Sequence, residues 1–319
     1  MVVERGRHVN CFCPRNTVFV KTKRISKAFH PLYQPVSGPS VLRNRTLVIH
    51  AGGVGDFVLT LPALEVLHSQ GPLDLLGRPE RLALAVAAGF AQAAFDIERV
   101  PLHMLHDGPT DRLKAFLAPY SRIISWLRLP HDAVGLLEAG GKRQVLNFAG
   151  IPPADWTQSA WQYYLHCIAA PEPWHPPRLV LPPESLAVDI AIHAGSGGRH
   201  KNWPMASFES LAAALESEGF RIGWVAGPAE LDYGMPLEAK HLVQGSLVQL
   251  GGMLQQARIF VGNDSGITHL AAAVGCPAVA IFGPTDPRVW APHGAHIMRQ
   301  AAGWPAVDTM FQKVRALLR

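Results

Sequence analysis

Cysteine is scarce in this chain: four among 319 residues, at Cys11, Cys13, Cys167 and Cys276. That density excludes a disulfide scaffold and fits a reducing compartment. Cys11 and Cys13 form a C-x-C pair with no second pair at zinc-finger spacing, so they do not read as a structural zinc site. Long hydrophobic runs are also missing. Most stop by about ten residues, short of the ~18 expected of a membrane span. No D-x-D pattern and no dense His/Asp/Glu cluster falls at a strand end, which leaves no visible metal site; no cofactor is expected. What remains is globular in composition, 48% hydrophobic and 17% charged, which argues against wholesale disorder. The length suits two domains with real cores.

The net charge of +5 conceals an asymmetry. Residues 1–45 carry nine Lys/Arg against one acid, Glu4, whereas the other 274 carry 20 against 23. The basic balance therefore describes an extension, and no basic surface for nucleic acid is expected on the body. Residues 1–45 lack sustained periodicity and end in the turn-prone Ser37-Gly38-Pro39-Ser40. No apolar stretch follows the positive charges, so this is not a secretory signal. Three readings stand: a disordered tail, a start codon placed too far upstream, or an arm that touches anionic headgroups at about 1 kcal/mol per cation near the surface.

From residue 46 a strand–turn–helix rhythm begins. Thr46–His50 reads as a strand, Ala51–Gly55 as a glycine turn and Asp56–His68 as a helix. Strand Leu73–Gly77, helix Glu80–Ala88 and strand Arg122–Trp126 follow. Residues 171–183 hold six prolines in thirteen positions and read as an interdomain linker. The rhythm then restarts. Val188–His193 is a strand, Ala194–Gly198 a glycine turn and Pro204–Gly219 a helix. Strands Arg221–Ala226, Ile259–Asn263 and Ala278–Phe282 and a last helix Pro305–Leu318 complete it. The expected organisation is a basic extension at 1–45, an N-terminal Rossmann-like domain at 46–170, a linker at 171–185 and a C-terminal Rossmann-like domain at 186–319. The fold class is α/β, with two parallel sheets facing a cleft and ligands beyond the strands' carboxyl ends.

Four segments lie at such ends. HAGGVGD (His50–Asp56) lacks the full G-x-G-x-x-G spacing, and no ribose-binding acid appears after the next strand, where Gly77-Arg78 stand. Its Asp56 is either a helix N-cap or a cleft carboxylate. HAGSGGRHKNWP (His193–Pro204) offers glycines and Ser196 at a helix entrance, with Arg199 and Lys201 adding charge, an arrangement suited to an anion but not a Walker A loop. GNDSGITHLAAAVGCP (Gly262–Pro277) places small residues at a helix start, with Asp264 poised for sugar hydroxyls. His269, one turn beyond Ser265, is either a core histidine or a ligand contact. FGPTDPRVWAPHG (Phe282–Gly294) is a long loop with preformed turns, evenly balanced between function and scaffold.

The strings GDFVLTLPALEVL, HAGSGGRHKNWP, VGNDSGITHLAAAVGCP and IFGPTDPRVWAPHG, in this order, resemble glycosyltransferase family nine, whose members include ADP-heptose:lipopolysaccharide heptosyltransferases. The resemblance covers about residues 46–318. The extension lies outside the family pattern, and the body is compact for it. The resemblance implies a GT-B architecture, with the acceptor on the N-terminal domain and the nucleotide sugar on the C-terminal one. It implies inverting, metal-independent transfer, with Asp56 of the GD motif as general base. Lys201 would then bind the diphosphate, Ser196 and Gly197 would line the phosphate loop, and Asp264, Ser265, Gly266 and His269 would hold the nucleotide sugar.

The implied partners are a nucleotide sugar, ADP-heptose first, and a lipid-linked oligosaccharide acceptor. The expected place is the cytoplasm, with the basic arm offering peripheral contact to the inner membrane's cytoplasmic face. Two alternatives stay open: a family-nine transferase with another nucleotide sugar, and a non-catalytic nucleotide-sugar-binding subunit of the same fold. A Rossmann oxidoreductase comes behind them, weakened by the incomplete fingerprint.

Overall fold

The computed structural model describes residues 45–100, 102, 110–139, 143–227, 242–299 and 303–319. The extension, residues 1–44 with Cys11 and Cys13, lies outside them. Arg45 does not. Its guanidinium pairs with the buried Asp74 carboxylate, which also accepts from the Tyr120 hydroxyl at 2.9 Å. Arg45, counted with the extension by composition, is thus tied to the first sheet, because Asp74 sits inside a strand and needs a partner.

In chain order the first half runs β1 (Thr46–His50), α1 (Val54–Ser69), β2 (Leu73–Gly77), α2 (Pro79–Ala87), β3 (Ala93–Asp96), α3 (Asp111–Leu117), β4 (Arg122–Ser125), α4 (His131–Ala139), β5 (Gln144–Asn147) and α5 (Ala160–Cys167). The second half runs β6 (Ile190–His193), α6 (Met205–Ser217), β7 (Ile222–Val225), β8 (Leu242–Val243), α7 (Leu247–Leu254), β9 (Ile259–Asn263), α8 (Gly266–Ala273), β10 (Ala278–Ile281), α9 (Pro287–Trp290), β11 (His296–Met298) and α10 (Val307–Leu318).

Each half builds one all-parallel sheet. The first has five strands in the order β3-β2-β1-β4-β5, and the second has six in the order β11-β10-β9-β6-β7-β8. Counted within its own half, the second order is the first one extended by a strand. Both are doubly wound sheets. The order reverses between β1 and β4, and again between β6 and β9. A crevice opens at such a reversal, beyond the carboxyl ends of the two central strands.

Alternation explains how the strands pack. Leu47, Ile49 and Ile123 face a core shared with Leu113 and Leu137, from α3 and α4. Val48 and Ile124 face the other way, onto Phe57, Leu61 and Tyr164. That second core does not stop at the domain boundary. It runs on through Leu250, Phe260 and Leu270 of the second half. A separate core lies beneath α6 and α10, around Trp203, Phe208 and Met310.

Residues 171–189 carry no helix or strand. They are still strapped to the second half. Leu179 N–H donates to the Ala273 carbonyl at 2.8 Å, and Gln255 Nε2 donates to the Leu181 carbonyl at 3.1 Å. Leu179 and Leu181 are buried while Val180 between them is 83% exposed, so the proline-rich chain lies extended against α7 and α8.

Candidate active site

The first glycine turn ends β1 and opens α1. Gly53 is the N-cap of α1, and Asp56 stands at its third position. The Asp56 carboxylate accepts from the Gly53 N–H at 2.8 Å. Asp56 is therefore not the N-cap residue. It closes the helix from inside, satisfying one of the orphan donors, and remains part-exposed at the sheet's carboxyl edge. Arg81 of α2 donates to the carbonyls of Ala51 and Gly52 and so clamps the turn from below. His50, at the end of β1, is 2% exposed, with neither ring nitrogen bonded to the protein. Burial, and then the Arg81 charge, push its pKa down to about 4. The imidazole is thus neutral at pH 7 and serves as apolar filler against Phe57 and Tyr164. Burial, with the Asp56 charge as a further cause, raises the Tyr164 phenol well above its usual range.

The second glycine turn sits at the other sheet's reversal. Asn263, fully buried at the end of β9, spans the crevice. Its Nδ2 donates to the Ala194 carbonyl at 2.7 Å, and its Oδ1 accepts from the Trp203 N–H at 2.8 Å. One amide thereby fixes both ends of the loop 194–203. Inside that loop, Ser196 Oγ hydrogen-bonds Asn202 Oδ1 at 2.5 Å and accepts from the Gly198 N–H at 3.2 Å. Gly197 is exposed at the loop's tip, with open space where a Cβ would be.

Lys201 and Asp264 meet across the crevice, Nζ to Oδ2 at 2.9 Å. Thr285 Oγ1 donates to the same carboxylate oxygen at 2.6 Å. Asp264 is only 7% exposed, whereas the Lys201 side chain is 29% exposed and can reach a ligand. Ser265 is the N-cap of α8. Its hydroxyl is engaged internally, with Thr268 Oγ1 at 3.0 Å and His193 Nδ1 at 3.3 Å. What this corner offers a ligand is the positive end of α8, where Ser265 Oγ already accepts from the Thr268 N–H at 3.4 Å. His269 is 6% exposed and its pKa falls to about 4. Burial is the largest cause and Lys201 adds to it, while Asp264 and a hydrogen bond to the Trp290 backbone oppose it.

The two turns come together. Gly266, at the first position of α8, lies so close to the first turn of α1 that a Cβ on it would fall 2.7 Å from the Gly55 nitrogen. A Cβ on Gly55 would fall 3.2 Å from His269 Cδ2. Asp56 is thus one residue from a contact with the helix that Ser265 caps. All eight residues singled out in the sequence lie on the two facing carboxyl edges, with His269 in the wall between them. Four contributors were missed: Arg81, His50, Asn263 and Thr285. Thr285 belongs to the fourth motif, whose value the sequence left undecided. Arg81 belongs to no motif, and only the fold brings it beneath the turn. The fourth segment is not all loop either, since Asp286 caps the single turn α9 by accepting from the Arg288 N–H at 2.9 Å.

Two doubly wound parallel sheets that meet at their carboxyl edges, with an anion-suited loop on one and a carboxylate on the other, define a GT-B-type architecture. The profile of Glycosyltransferase family 9 (heptosyltransferase) matches residues 187–304. Lipopolysaccharide heptosyltransferase 3 of Escherichia coli is 30% identical over 32% of this chain and 33% of its own length. The chain therefore matches about a third of the length of such curated relatives in sequence. In three dimensions, ADP-heptose lps heptosyltransferase II of E. coli superposes with a TM-score of 0.71. Identity is 19%, over 86% of this chain and 98% of that one. An E. coli heptosyltransferase solved with ADP-2-deoxy-2-fluoro heptose gives a TM-score of 0.61 at 18% identity, over 85% and 99%. Over residues 187–304 the chain is similar to glycosyltransferase family 9, and over most of its length it shares the fold of these heptosyltransferases. Asp56 lies outside the span that the family profile matches.

Proposed function

We propose that the chain transfers heptose from ADP-heptose to a lipopolysaccharide-core-type acceptor, with inversion and without a metal. The observation that carries this reading is the meeting of the Asp56 turn with the Lys201–Asp264–Thr285 corner across one crevice. The relatives named above support the choice of donor and acceptor.

The chemistry follows from the residues. The diphosphate lies at the loop 194–203 and the first turn of α8, where N–H groups and the helix dipole favour negative charge. Lys201 turns from Asp264 to the phosphate oxygens, and Thr285 keeps Asp264 in place to accept from the sugar's hydroxyls. The acceptor lies on the first half. Asp56 takes the proton of its hydroxyl as that oxygen bonds to the anomeric carbon. The bond from that carbon to the diphosphate oxygen breaks on the opposite face, and ADP leaves. Attack and departure on opposite faces invert the anomeric centre. Charge growing on the leaving diphosphate is met by Lys201 and the backbone donors, which can fill the role a metal plays elsewhere. The work takes place at the cytoplasmic face of the membrane that holds the lipid-linked acceptor. Among the described residues no helix is long and apolar enough to cross it.

The test is a turnover panel with purified protein, a heptose-deficient core acceptor and ADP-heptose beside other nucleotide sugars. ADP release that depends on acceptor, with inverted configuration in the product by NMR, is the expected result. Turnover with another nucleotide sugar alone, or retained configuration, overturns the reading.

A further inference from the structure

We propose that Gly55 and Gly266 are positioning residues, which hold Asp56 at its working distance from the donor corner by letting two helix ends touch without side chains. The proposal rests on the transferase reading above. Gly55 and Gly266 lie in the first turns of α1 and α8, in different halves of the chain. A Cβ on Gly266 would fall 2.7 Å from the Gly55 nitrogen and 2.7 Å from Val54 Cβ. A Cβ on Gly55 would fall 3.3 Å from Gly266 Cα and 3.2 Å from His269 Cδ2. Neither glycine is among the residues with positive φ. The local backbone would therefore accept alanine, and a helix normally favours alanine over glycine. Backbone conformation does not call for glycine at either place; the contact between the halves does.

The neighbours make this contact matter for the reaction. Asp56 directly follows Gly55, and Asp264 and Ser265 directly precede Gly266. The gap between the two helix ends thus sets the gap between the carboxylate and the donor. The wall behind them cannot yield easily. His269 is buried and tied to the Trp290 backbone, and the core continues unbroken beneath it from Phe57 to Leu270. A methyl group on Gly266 needs roughly 3.5 Å from its neighbours, about 0.8 Å more than it has. A misplacement of about 1 Å can cost about a hundredfold in rate.

The test compares Gly266→Ala, Gly55→Ala and Gly135→Ala with the wild-type chain. Gly135 lies in α4 with open space around it and is the control. In Gly266→Ala kcat should fall about 30- to 100-fold. In Gly55→Ala, where the overlap is milder, it should fall several-fold, and in Gly135→Ala it should hold. Binding of ADP, measured by calorimetry, should stay within threefold in Gly55→Ala and Gly135→Ala, whose residues lie off the donor corner. Hydrogen exchange supplies a readout that needs no turnover: either glycine variant should speed exchange in the first turns of both α1 and α8. Wild-type kcat kept in Gly266→Ala, a kcat loss in Gly55→Ala matched by an equal loss of ADP binding, or faster exchange confined to the substituted helix overturns the proposal. If Gly266→Ala does not fold, Gly55→Ala decides by the same criteria. Failure of the wild type to turn over ADP-heptose, with exchange altered in both helices, overturns the transferase reading and leaves the contact standing.

Discussion

Replacing Asp56 by asparagine separates its two tasks. Its carboxylate closes the first turn of α1 by accepting from the Gly53 N–H at 2.8 Å. An asparagine Oδ1 can accept the same bond, so the cap survives. What is lost to the fold is a charge near the helix N-terminus, about 0.3–1 kcal/mol. For a body of this size that lowers Tm by about 1–4 °C. On the proposed mechanism, what is lost to the reaction is the group that takes the acceptor's proton, and general-base help contributes about 10²–10⁴-fold. Asp56→Asn should therefore melt near the wild type, bind ADP as well, and show kcat lower by that factor. Asp56→Ala, which drops the cap too, should lose a further ~1 kcal/mol of stability at the same low kcat. Steady-state transfer with ADP-heptose, ADP titration calorimetry and thermal melts read the three quantities. Wild-type kcat within a few-fold in Asp56→Asn, at unchanged stability, would refute the assignment and leave Asp56 as a cap alone.

Lys201→Ala should weaken ADP binding and slow transfer ten- to a hundredfold, since a charge-assisted contact contributes about 1.5–3 kcal/mol. Added magnesium should not restore it, and EDTA should not inhibit the wild type; inhibition by EDTA would place a metal in the mechanism. Asn263→Ala should cost about 2–4 kcal/mol, because it leaves the Trp203 N–H and the Ala194 carbonyl unpaired in a buried place. Denaturant titration measures that loss, and a change under 1 kcal/mol would show that the loop holds itself. Stability should also fall with acid. His50 and His269 sit near pKa 4 when folded, below the ordinary 6.5. Their contribution is whole above about pH 6.5, declines as the unfolded chain takes up protons, and is gone below pH 4. Each contributes on the order of 3 kcal/mol across that window. His269→Gln should make the decline markedly shallower in denaturation between pH 7 and 4.5, and an unchanged slope would contradict the assignment.

The central strands were legible because they are short, mostly apolar runs with a glycine at or near their end. β1, β2, β9 and β10 fall where that pattern places them, to within a residue. The edge strands were not. β3 is Ala-Ala-Phe-Asp and β5 is Gln-Val-Leu-Asn, four residues each and only partly buried. Nothing local marks them, and pairing with β2 and β4 creates them. The aromatic α5 escaped notice too, although Tyr164 hydrogen-bonds the Gly150 carbonyl at 2.8 Å and packs on Trp126 beneath the Asp56 turn. At the site, glycine and charge near strand ends pointed to the right loops. They could not show that Lys201 and Asp264 pair, 63 residues apart in sequence. Nor could they show that His269 faces the other half of the molecule rather than open solvent. Such facts belong to the reversal points of two sheets, which no window of sequence contains.

The apolar core that runs from Val48 to Leu270 makes the two halves poor candidates for separate life. Cutting the chain at the proline-rich stretch would bare Phe57 and Leu61 on one fragment and Leu250 and Leu270 on the other, faces built to be dry. A movement of one half against the other that kept this core dry would be a tilt about its wet rim. Heat should melt the body as one unit, because neither half can let go without flooding the other.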